Sequence, residues 1–442
     1  MKCFTSFCAV NYQDKLAANE REAGTEPTDL LSFLRPPCLS VRKVNLFESE
    51  LHRRLARIEE AGLLRELRRV DSAQGPRIEI GGRALLNFSS NDYLGLANHP
   101  ALKEASIKAV EKFGAGAGAS RLICGSLAPF HELEETLSAF KGTEAALSFS
   151  TGYAAAVGTI TALLGKDDII IVDKLVHACI VDAAKLNGAK LRVFDHNDLN
   201  DLEEILKWAT SEVRSKKSEN RTLIVTESIF SMDGDAAPLA EIVALKEKYG
   251  AWLMVDEAHA TGLYGTNRRG LAEELGVSDR IEIQMGTLGK ALGASGGYIC
   301  GSRALIDYLV NRARSFIFST APVPAAAAAA TAGIKLVQSS EGKAFNELLW
   351  ARVGEFQSII GNPQSAIPST IIPLTIGDES AAVAASATLR EQGLFVPAIR
   401  YPTVARNSAR LRITLTAAHT TADVSNLSQA LATLAIRPPT LD

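Results

Sequence analysis

The alternation of short apolar runs with helical stretches between Leu85 and about Val323 is the feature that most restricts how this 442-residue chain can fold. Each run is four or five residues long, which suits a buried strand better than a helix. The alternation predicts an α/β fold with a large, mostly parallel, seven-stranded sheet covered by helices on both faces. The seven runs are Ala145 to Phe149, Ile169 to Val172, Leu191 to Phe194, Leu223 to Thr226, Trp252 to Val255, Ile281 to Met285 and Gly297 to Cys300.

The pattern changes towards the carboxyl terminus, after a long helical stretch around residues 325–356. Three apolar runs alternate there with two helical stretches, which predicts a smaller α+β domain. The predicted strands are Ile371 to Ile376, Leu394 to Ile399 and Leu411 to Leu415, and the predicted helices are Ser380 to Gln392 and Ala422 to Leu434.

Four segments follow from these patterns and from the length of the chain. The first has few periodic apolar residues and many polar ones, so we expect a poorly ordered N-terminal arm. Helical spacing begins at Leu46. The segments are the arm at 1–45, an N-terminal helix and short strand segment at 46–90, a large domain at 91–325 and a small C-terminal domain at 326–442.

The charge balance and the cysteines restrict the partners and the compartment. The 47 Lys and Arg residues against 50 Asp and Glu residues give no electrostatic basis for binding nucleic acid or an anionic membrane surface. The six cysteines lack metal-ligand spacing, which predicts reduced thiols and no metal site. The first residues lack a signal-peptide core, and their acids are atypical of a mitochondrial presequence. We therefore expect a cytoplasmic protein.

One uncharged stretch of twenty residues, Ala145 to Leu164, is long enough to span a bilayer. Serine, threonine and glycine residues interrupt it between the apolar positions. A strand, a turn and a helix explain these interruptions better than a membrane span does, so we predict no membrane segment here.

A single lysine, Lys290, lies between glycines in the segment MGTLGKALGASGG, shortly after a predicted strand. A lysine in apolar surroundings most often only extends its ammonium to water. However, Asp256 and His259 in VDEAHATG follow a second predicted strand, and parallel strands bring their carboxyl ends to one edge of a sheet. A lysine for a Schiff base and a carboxylate for a pyridinium nitrogen are what pyridoxal 5'-phosphate requires.

Eight ordered segments carry a resemblance to a known family. They are NFSSNDYLGL, GAGASRLICGS, SFSTGYAAA, DKLVHACIVDA, TESIFSMDGDAAPL, VDEAHATG, GTLGKALG and ARLRITLTAAHT. Together they resemble the α-oxoamine synthases, pyridoxal-phosphate acyltransferases of aminotransferase fold type I, from about Leu46 to the carboxyl terminus. The resemblance implies that residues 91–325 form the cofactor-binding domain.

The resemblance implies roles for four residues at the reacting end of the cofactor. Lys290 would form the Schiff base and then remove the α-proton of the amino acid, which requires a lowered lysine pKa. Asp256 would pair with the pyridinium nitrogen, and His259 would hydrogen-bond the phenolic oxygen. His177 would stack on the ring and could act as an acid near the new carbonyl group.

The resemblance also implies how the rest of the cofactor is held. Its phosphate would lie near Gly152 and Tyr153, where a helix N-terminus offers free backbone amides. Ser231 and Thr287 match positions that hydrogen-bond the cofactor. Thr320 matches a position that reaches the phosphate from the other subunit, which implies a homodimer with the active site at its interface.

The resemblance also implies which residues line the substrate site. The matching positions are Arg65, Asn91, Thr403 and Arg412, of which Arg412 would bind the amino acid carboxylate. The segment IRYPTVARNSARLR has Tyr401 and Ala405 where the resembling members carry proline. These two differences affect the loop that shapes the acyl pocket.

The resemblance implies a decarboxylative condensation of L-alanine with pimeloyl-coenzyme A or a pimeloyl carrier protein. Its products would be 8-amino-7-oxononanoate, coenzyme A and carbon dioxide, as in biotin biosynthesis. Condensation of glycine with acetyl-coenzyme A, or the reaction of another α-oxoamine synthase, is the alternative within the family. A non-catalytic partner subunit is the alternative outside catalysis, and the presence of Lys290 disfavours it.

Overall fold

The computed structural model describes residues 45–215, 220–360 and 367–434. The described residues divide into two units, the first ending at Ile58 and the second beginning at Glu59. In the first unit the structure describes Asn45 and most of the helix α1 (Leu46–Glu60). The predicted arm at 1–45 lies outside the described residues except for its last position, so its order stays a prediction.

The second unit contains an antiparallel hairpin, β1 (Arg77–Ile80) and β2 (Arg83–Asn87). Its two-residue turn is Gly81-Gly82, with φ angles of 57° and 74°. Positive φ at both turn positions matches the twist of the two strands, and glycine adopts it without a steric penalty.

Helices and strands then alternate, as the sequence predicts. All seven predicted runs form strands of one sheet in the order β3-β9-β8-β7-β6-β4-β5, and only β9 is antiparallel to its neighbours. The prediction of a mostly parallel seven-stranded sheet is confirmed. The elements are α2 (Pro100–Phe113), α3 (Ala128–Lys141), β3 (Ala145–Phe149), α4 (Gly152–Leu163), β4 (Ile169–Asp173), α5 (Ala178–Asn187), β5 (Lys190–Phe194), α6 (Leu199–Ser215), β6 (Thr222–Glu227), α7 (Leu239–Tyr249), β7 (Trp252–Asp256), α8 (Leu271–Glu274), β8 (Ile283–Thr287) and β9 (Gly297–Gly301).

The sheet is buried on both faces, which explains why its strands are continuous apolar runs. In β4, for example, all five residues are buried. Ile169 and Ile171 pack into one apolar cluster, whereas Ile170 and Val172 pack into the other. A strand with both faces covered needs apolar residues at every position, not only at alternate ones.

The uncharged stretch from Ala145 to Leu164 forms β3 and α4, as predicted. Across the three described ranges, no helix has both the length and the apolar character that a membrane crossing requires.

The carboxyl-terminal part contributes a second small sheet, in the order β10-β13-β12, and one strand of a third, in the order β1-β2-β11. Residues 59–442 form one compact unit, and the domain boundary near residue 325 stays a prediction. The elements are α9 (Arg303–Arg312), α10 (Arg314–Ile317), α11 (Pro324–Gln338), α12 (Ser340–Ile360), β10 (Ile371–Gly377), α13 (Glu379–Glu391), β11 (Leu394–Phe395), β12 (Ala398–Ile399), β13 (Ala409–Thr414) and α14 (Thr421–Thr433).

One predicted strand is wrong, because Leu394 to Ile399 forms two strands in different sheets. β11 pairs in parallel with β2, whereas β12 pairs antiparallel with β13. Pro397 lies between them and has no backbone N–H for a ladder hydrogen bond. The chain therefore leaves one sheet and joins the other at this proline.

Candidate active site

Three parallel strands end side by side and bring the predicted catalytic residues to one edge of the sheet. Asp256 is the last residue of β7, and its register neighbours are Glu227, which ends β6, and Met285 in β8. Lys290 follows three residues after the end of β8. The carboxyl edge of a parallel sheet is where α/β proteins bind ligands, so this position fits the expectation from the sequence.

Lys290 and His259 are in direct contact at this edge. The Lys290 Nζ atom lies 2.7 Å from Nε2 of His259. Burial lowers the pKa of Lys290 below its ordinary value, although the nearby charges of Asp256 and Glu227 oppose this shift. Burial also holds the pKa of His259 well below its usual range, and the charge of Lys290 adds to the effect. The site therefore contains a neutral imidazole beside an amine that deprotonates more readily than an ordinary lysine.

Asp256 and Glu227 are a pair of buried carboxyl groups on adjacent strands. Burial raises the pKa of Asp256, and the charge of Lys290 opposes this shift. Burial raises the pKa of Glu227 as well, and the charge of Asp256 adds to it. An Oδ1 atom of Asp256 accepts a hydrogen bond from the backbone N–H of Ala258 at 2.9 Å, which fixes the carboxylate at the strand end.

Glu227 is a residue that the sequence reasoning missed. Its Oε2 atom accepts the backbone N–H of Ser231 at 3.1 Å, whereas its buried Oε1 atom has no hydrogen-bond partner. Its sequence position could have identified it. Glu227 lies in the segment TES, directly after the apolar run Leu223 to Thr226, just as Asp256 comes directly after the apolar run of the next strand.

His177 lies beside this cluster at the N-terminus of α5. Its Nδ1 atom accepts the backbone N–H of Cys179 at 3.2 Å, so the ring caps the helix. Burial lowers the pKa of His177, and the charge of Asp256 opposes this shift. The residue is not a core histidine, because its surface is exposed to solvent.

Arg412 contacts two of the other predicted substrate and cofactor positions, Ser231 and Asn91. Its Nε atom donates to the carbonyl oxygen of Ser231 at 2.7 Å, and one terminal nitrogen donates to Oδ1 of Asn91 at 3.2 Å. The other terminal nitrogen donates to Oγ1 of Thr414 at 2.9 Å. These contacts fix the plane of the guanidinium group, which is buried at the same sheet edge.

The N-terminus of α4 carries the two residues that the sequence predicts near the cofactor phosphate. Gly152 and Tyr153 occupy its first two positions, whose backbone N–H groups have no partner within a helix. Thr151 caps the helix through Oγ1, which accepts the N–H of Ala154 at 3.0 Å. A Cβ atom on Gly152 would lie 3.9 Å from Cβ of Thr287, so this predicted residue is adjacent to the helix N-terminus.

Arg65 and Thr403 line a different cavity, of about 410 Å³, together with Arg68 and Arg400. The Arg65 guanidinium donates to the carbonyl oxygen of Tyr401 at 3.2 Å. Within the described ranges, no hydrogen bond joins this cavity to Lys290 or Asp256. The structure therefore places the predicted substrate residues in two groups, Asn91 with Arg412 and Arg65 with Thr403.

Thr320 does not contact Lys290 in its own chain. It forms an isolated antiparallel bridge with Ser120 and lines a small cavity that also includes Ser150. The side chains around this bridge include the exposed apolar residues Ile123 and Phe318.

Sequence comparisons identify relatives over most of the chain. Residues 83–431 match the family described as aminotransferase class I and II. An 8-amino-7-oxononanoate synthase of Geotalea daltonii is 48% identical over 381 residues, which cover 86% of this chain and 95% of the relative. An 8-amino-7-oxononanoate synthase of Geobacter sulfurreducens is 46% identical over 384 residues, with coverages of 86% and 96%.

Solved structures of similar fold agree with this relationship. A serine palmitoyltransferase of S. paucimobilis with a bound PLP–myriocin aldimine has a TM-score of 0.81 at 28% identity, over 88% of this chain and 98% of that chain. An 8-amino-7-oxononanoate synthase of Francisella tularensis has a TM-score of 0.66 at 27% identity, with coverages of 79% and 96%. The chain therefore belongs to the aminotransferase class I and II family, and its resemblance to the α-oxoamine synthases is confirmed.

Proposed function

We propose that this chain catalyses the pyridoxal-phosphate-dependent, decarboxylative condensation of L-alanine with a pimeloyl thioester. The products are 8-amino-7-oxononanoate, carbon dioxide and coenzyme A or a free carrier protein, as a step of biotin biosynthesis. Relatives that are 46% to 49% identical and carry the name 8-amino-7-oxononanoate synthase support the choice of substrates. The observation that carries the chemistry is the contact between Lys290 and His259 beside the buried Asp256.

The donor set fits pyridoxal 5'-phosphate group by group. Lys290 offers an amine for the aldehyde, Asp256 a carboxylate for the pyridine nitrogen, and His259 an imidazole for the phenolic oxygen. The first amides of α4, at Gly152 and Tyr153, suit the phosphate. When bound, the cofactor supplies an electron sink for the carbon that bears the amino group.

The protein's own residues bind the amino acid and move its proton. Arg412 binds the alanine carboxylate, because its planar group is already fixed by Ser231 and Asn91. Lys290 takes the α-proton at Nζ, a task for which a lowered lysine pKa is suited. Asp256 would hold the pyridine nitrogen through its carboxylate, and the burial of this side chain would exclude water from that contact.

The acyl donor occupies the second cavity. Arg65, Arg68 and Arg400 line about 410 Å³ together with Thr403, which suits an acyl chain that carries an anionic group. The backbone carbonyl oxygen of Tyr401 accepts a hydrogen bond from Arg65, one of the residues that line this cavity. His177, which is exposed and interacts with the charge of Asp256, is the proposed acid for the acyl carbonyl.

The functional unit is a homodimer with the active site at its interface. Thr320 contacts Ser120 and not Lys290 within its own chain, which is consistent with a role in the partner's site. The exposed apolar side chains Leu122, Ile123 and Phe318 flank this bridge, and a second copy of the chain would cover them. The cytoplasmic location stays a prediction from the sequence.

A turnover panel tests the proposed substrates. L-Alanine, glycine and L-serine are each incubated with acetyl-, succinyl-, pimeloyl- and palmitoyl-coenzyme A, and thiol release is measured on the cofactor-loaded protein. We expect the highest kcat/KM for L-alanine with the pimeloyl thioester. A preference for glycine with acetyl-coenzyme A would keep the cofactor chemistry but contradict the substrates.

A further inference from the structure

A buried tyrosine hydroxyl contacts the histidine of the active site on the side away from Lys290. The Tyr93 hydroxyl oxygen lies 2.5 Å from Nδ1 of His259, and Tyr93 is fully buried. The two ring centroids are 6.0 Å apart and the rings are tilted by 60°, so the contact is made by the hydroxyl group and not by stacking. The other ring nitrogen of His259, Nε2, faces Lys290.

The choice of tautomer matters for His259. Because burial keeps its pKa well below the ordinary histidine value, the ring is neutral and carries one N–H hydrogen. The group at one ring nitrogen decides whether the other nitrogen donates or accepts. A histidine that serves the phenolic oxygen of pyridoxal phosphate must donate from Nε2, since that oxygen is an acceptor.

The neighbours of Tyr93 indicate in which direction its hydroxyl hydrogen points. Burial dominates and raises the pKa of Tyr93, although the charge of Arg412 lowers it. A guanidinium group can only donate hydrogen bonds, so Arg412 does not compete for the hydroxyl hydrogen of Tyr93. The single hydroxyl hydrogen can then go to His259 Nδ1 at 2.5 Å or to Asn91 Oδ1 at 3.3 Å. The shorter distance favours the histidine.

We propose that Tyr93 is a positioning residue whose hydroxyl donates to Nδ1 of His259 and thereby keeps the ring hydrogen on Nε2. The Nε2–H then points towards Lys290 and the phenolic oxygen of the cofactor. This role rests on the proposed function for its catalytic consequence, but the tautomer itself is a property of the protein alone. The lowered pKa of Lys290 agrees with it, because a neutral amine can accept a hydrogen bond from Nε2–H.

The matched variants are Tyr93→Phe and Tyr298→Phe. Tyr298 is also fully buried, and its hydroxyl is 2.8 Å from Oγ1 of Thr261, away from the His259 ring. Both substitutions remove one buried, hydrogen-bonded hydroxyl and keep the aromatic ring. A difference between them therefore reports the contact with His259 and not the general loss of a buried hydroxyl.

The direct readout is the ¹⁵N chemical shift of the two His259 ring nitrogens in cofactor-free protein labelled at histidine. A His259→Asn variant assigns the signals. We expect the wild type and Tyr298→Phe to carry the hydrogen on Nε2, and Tyr93→Phe to lose this preference. A wild-type ring with its hydrogen on Nδ1, or an unchanged tautomer in Tyr93→Phe, would overturn the proposal even if the substrate assignment were correct.

The second readout uses the cofactor-loaded protein. In Tyr93→Phe we expect kcat to fall by about 10- to 100-fold, while KM for L-alanine changes less. This is the range found when the hydrogen-bond partner of a metal-binding histidine is removed. The pH titration of the bound cofactor's visible absorbance should shift in Tyr93→Phe and not in Tyr298→Phe. Equal titration curves for the two variants would contradict the role of the hydroxyl. Failure of every substrate pair in the wild type would instead refute the proposed function and leave the NMR result standing.

Discussion

Removal of Lys141 should destabilise this protein far more than removal of a lysine in a similar but more exposed ion pair. The Lys141 Nζ atom lies 2.5 Å from Oε2 of Glu257 and 2.6 Å from the carbonyl oxygen of Arg269. The side chains of Lys141 and Glu257 are 1% and 0% exposed. Glu257 belongs to the segment VDEAHATG, one residue after Asp256, so the pair supports the strand end that carries the active site.

The magnitude follows from the burial of the carboxylate that is left behind. Lys141→Met leaves the Glu257 charge without a cation in the core, a change that typically costs about 3–5 kcal/mol. The control is Lys246→Met, which removes an ion pair of equal length, 2.5 Å, to Glu282, whose side chain is 41% exposed. Water can solvate Glu282 once the lysine is gone, so the control should cost about 1 kcal/mol or less.

The double variant Lys141→Met/Glu257→Gln separates charge from packing. Glutamine keeps the acceptor that Oε1 of Glu257 offers to the backbone N–H of Ala272 at 2.9 Å, but it removes the buried charge. We expect the double variant to be more stable than Lys141→Met alone.

The assay is urea unfolding followed by circular dichroism, at one protein concentration because association of the proposed dimer would contribute to stability. The reasoning would be refuted if Lys141→Met cost no more than Lys246→Met. It would also be refuted if the added Glu257→Gln change destabilised the protein further.

Three further changes test other parts of the account. Arg412→Lys should raise KM for L-alanine by roughly 10- to 100-fold, because an ammonium cannot replace the planar contacts to a carboxylate; steady-state kinetics with L-alanine varied would show it. Lys290→Ala and Thr320→Glu should each be inactive alone. When the two variants are mixed and reassembled at random, about half of the dimers are hybrids, and each hybrid has one intact site of two, so thiol release should recover to about a quarter of the wild-type value. His196 lies between two carboxylates; burial lowers its pKa, but these contacts outweigh the effect and raise the pKa to about 10. The pKa of this histidine in the unfolded chain is about 6.5, so the stabilisation is complete below that pH and is lost as the pH rises towards 10. His196→Asn should therefore lower the free energy of unfolding by roughly 2–4 kcal/mol at pH 6 and by less at pH 9, as measured by urea unfolding.

The sequence predicted the large sheet well because its strands are buried on both faces. A run such as Ile169 to Val172 can only be a strand or a buried helix segment, and its length decided between them. The carboxyl-terminal part was harder, because the change of sheet at Pro397 depends on two tertiary partners, β2 and β13, that no local pattern reveals.

The sequence predicts those residues of the candidate site that directly follow strands. It does not predict a residue that contacts the site only through another side chain. Lys290, Asp256 and His259 follow apolar runs closely, and Glu227 shares this signal although it was overlooked. Tyr93, by contrast, contacts His259 across 166 residues of sequence. Its aromatic ring makes it look like an ordinary core residue, and only the position of its hydroxyl distinguishes it.

L-Alanine labelled in its carboxyl group tests the proposed decarboxylative condensation most directly. L-[1-¹³C]Alanine and pimeloyl-coenzyme A are incubated with the cofactor-loaded protein, and labelled carbon dioxide, free thiol and 8-amino-7-oxononanoate are measured by mass spectrometry. We expect one molecule of labelled carbon dioxide and one molecule of unlabelled 8-amino-7-oxononanoate for each thiol released. Thiol release without labelled carbon dioxide, or a product that retains the label, would contradict it.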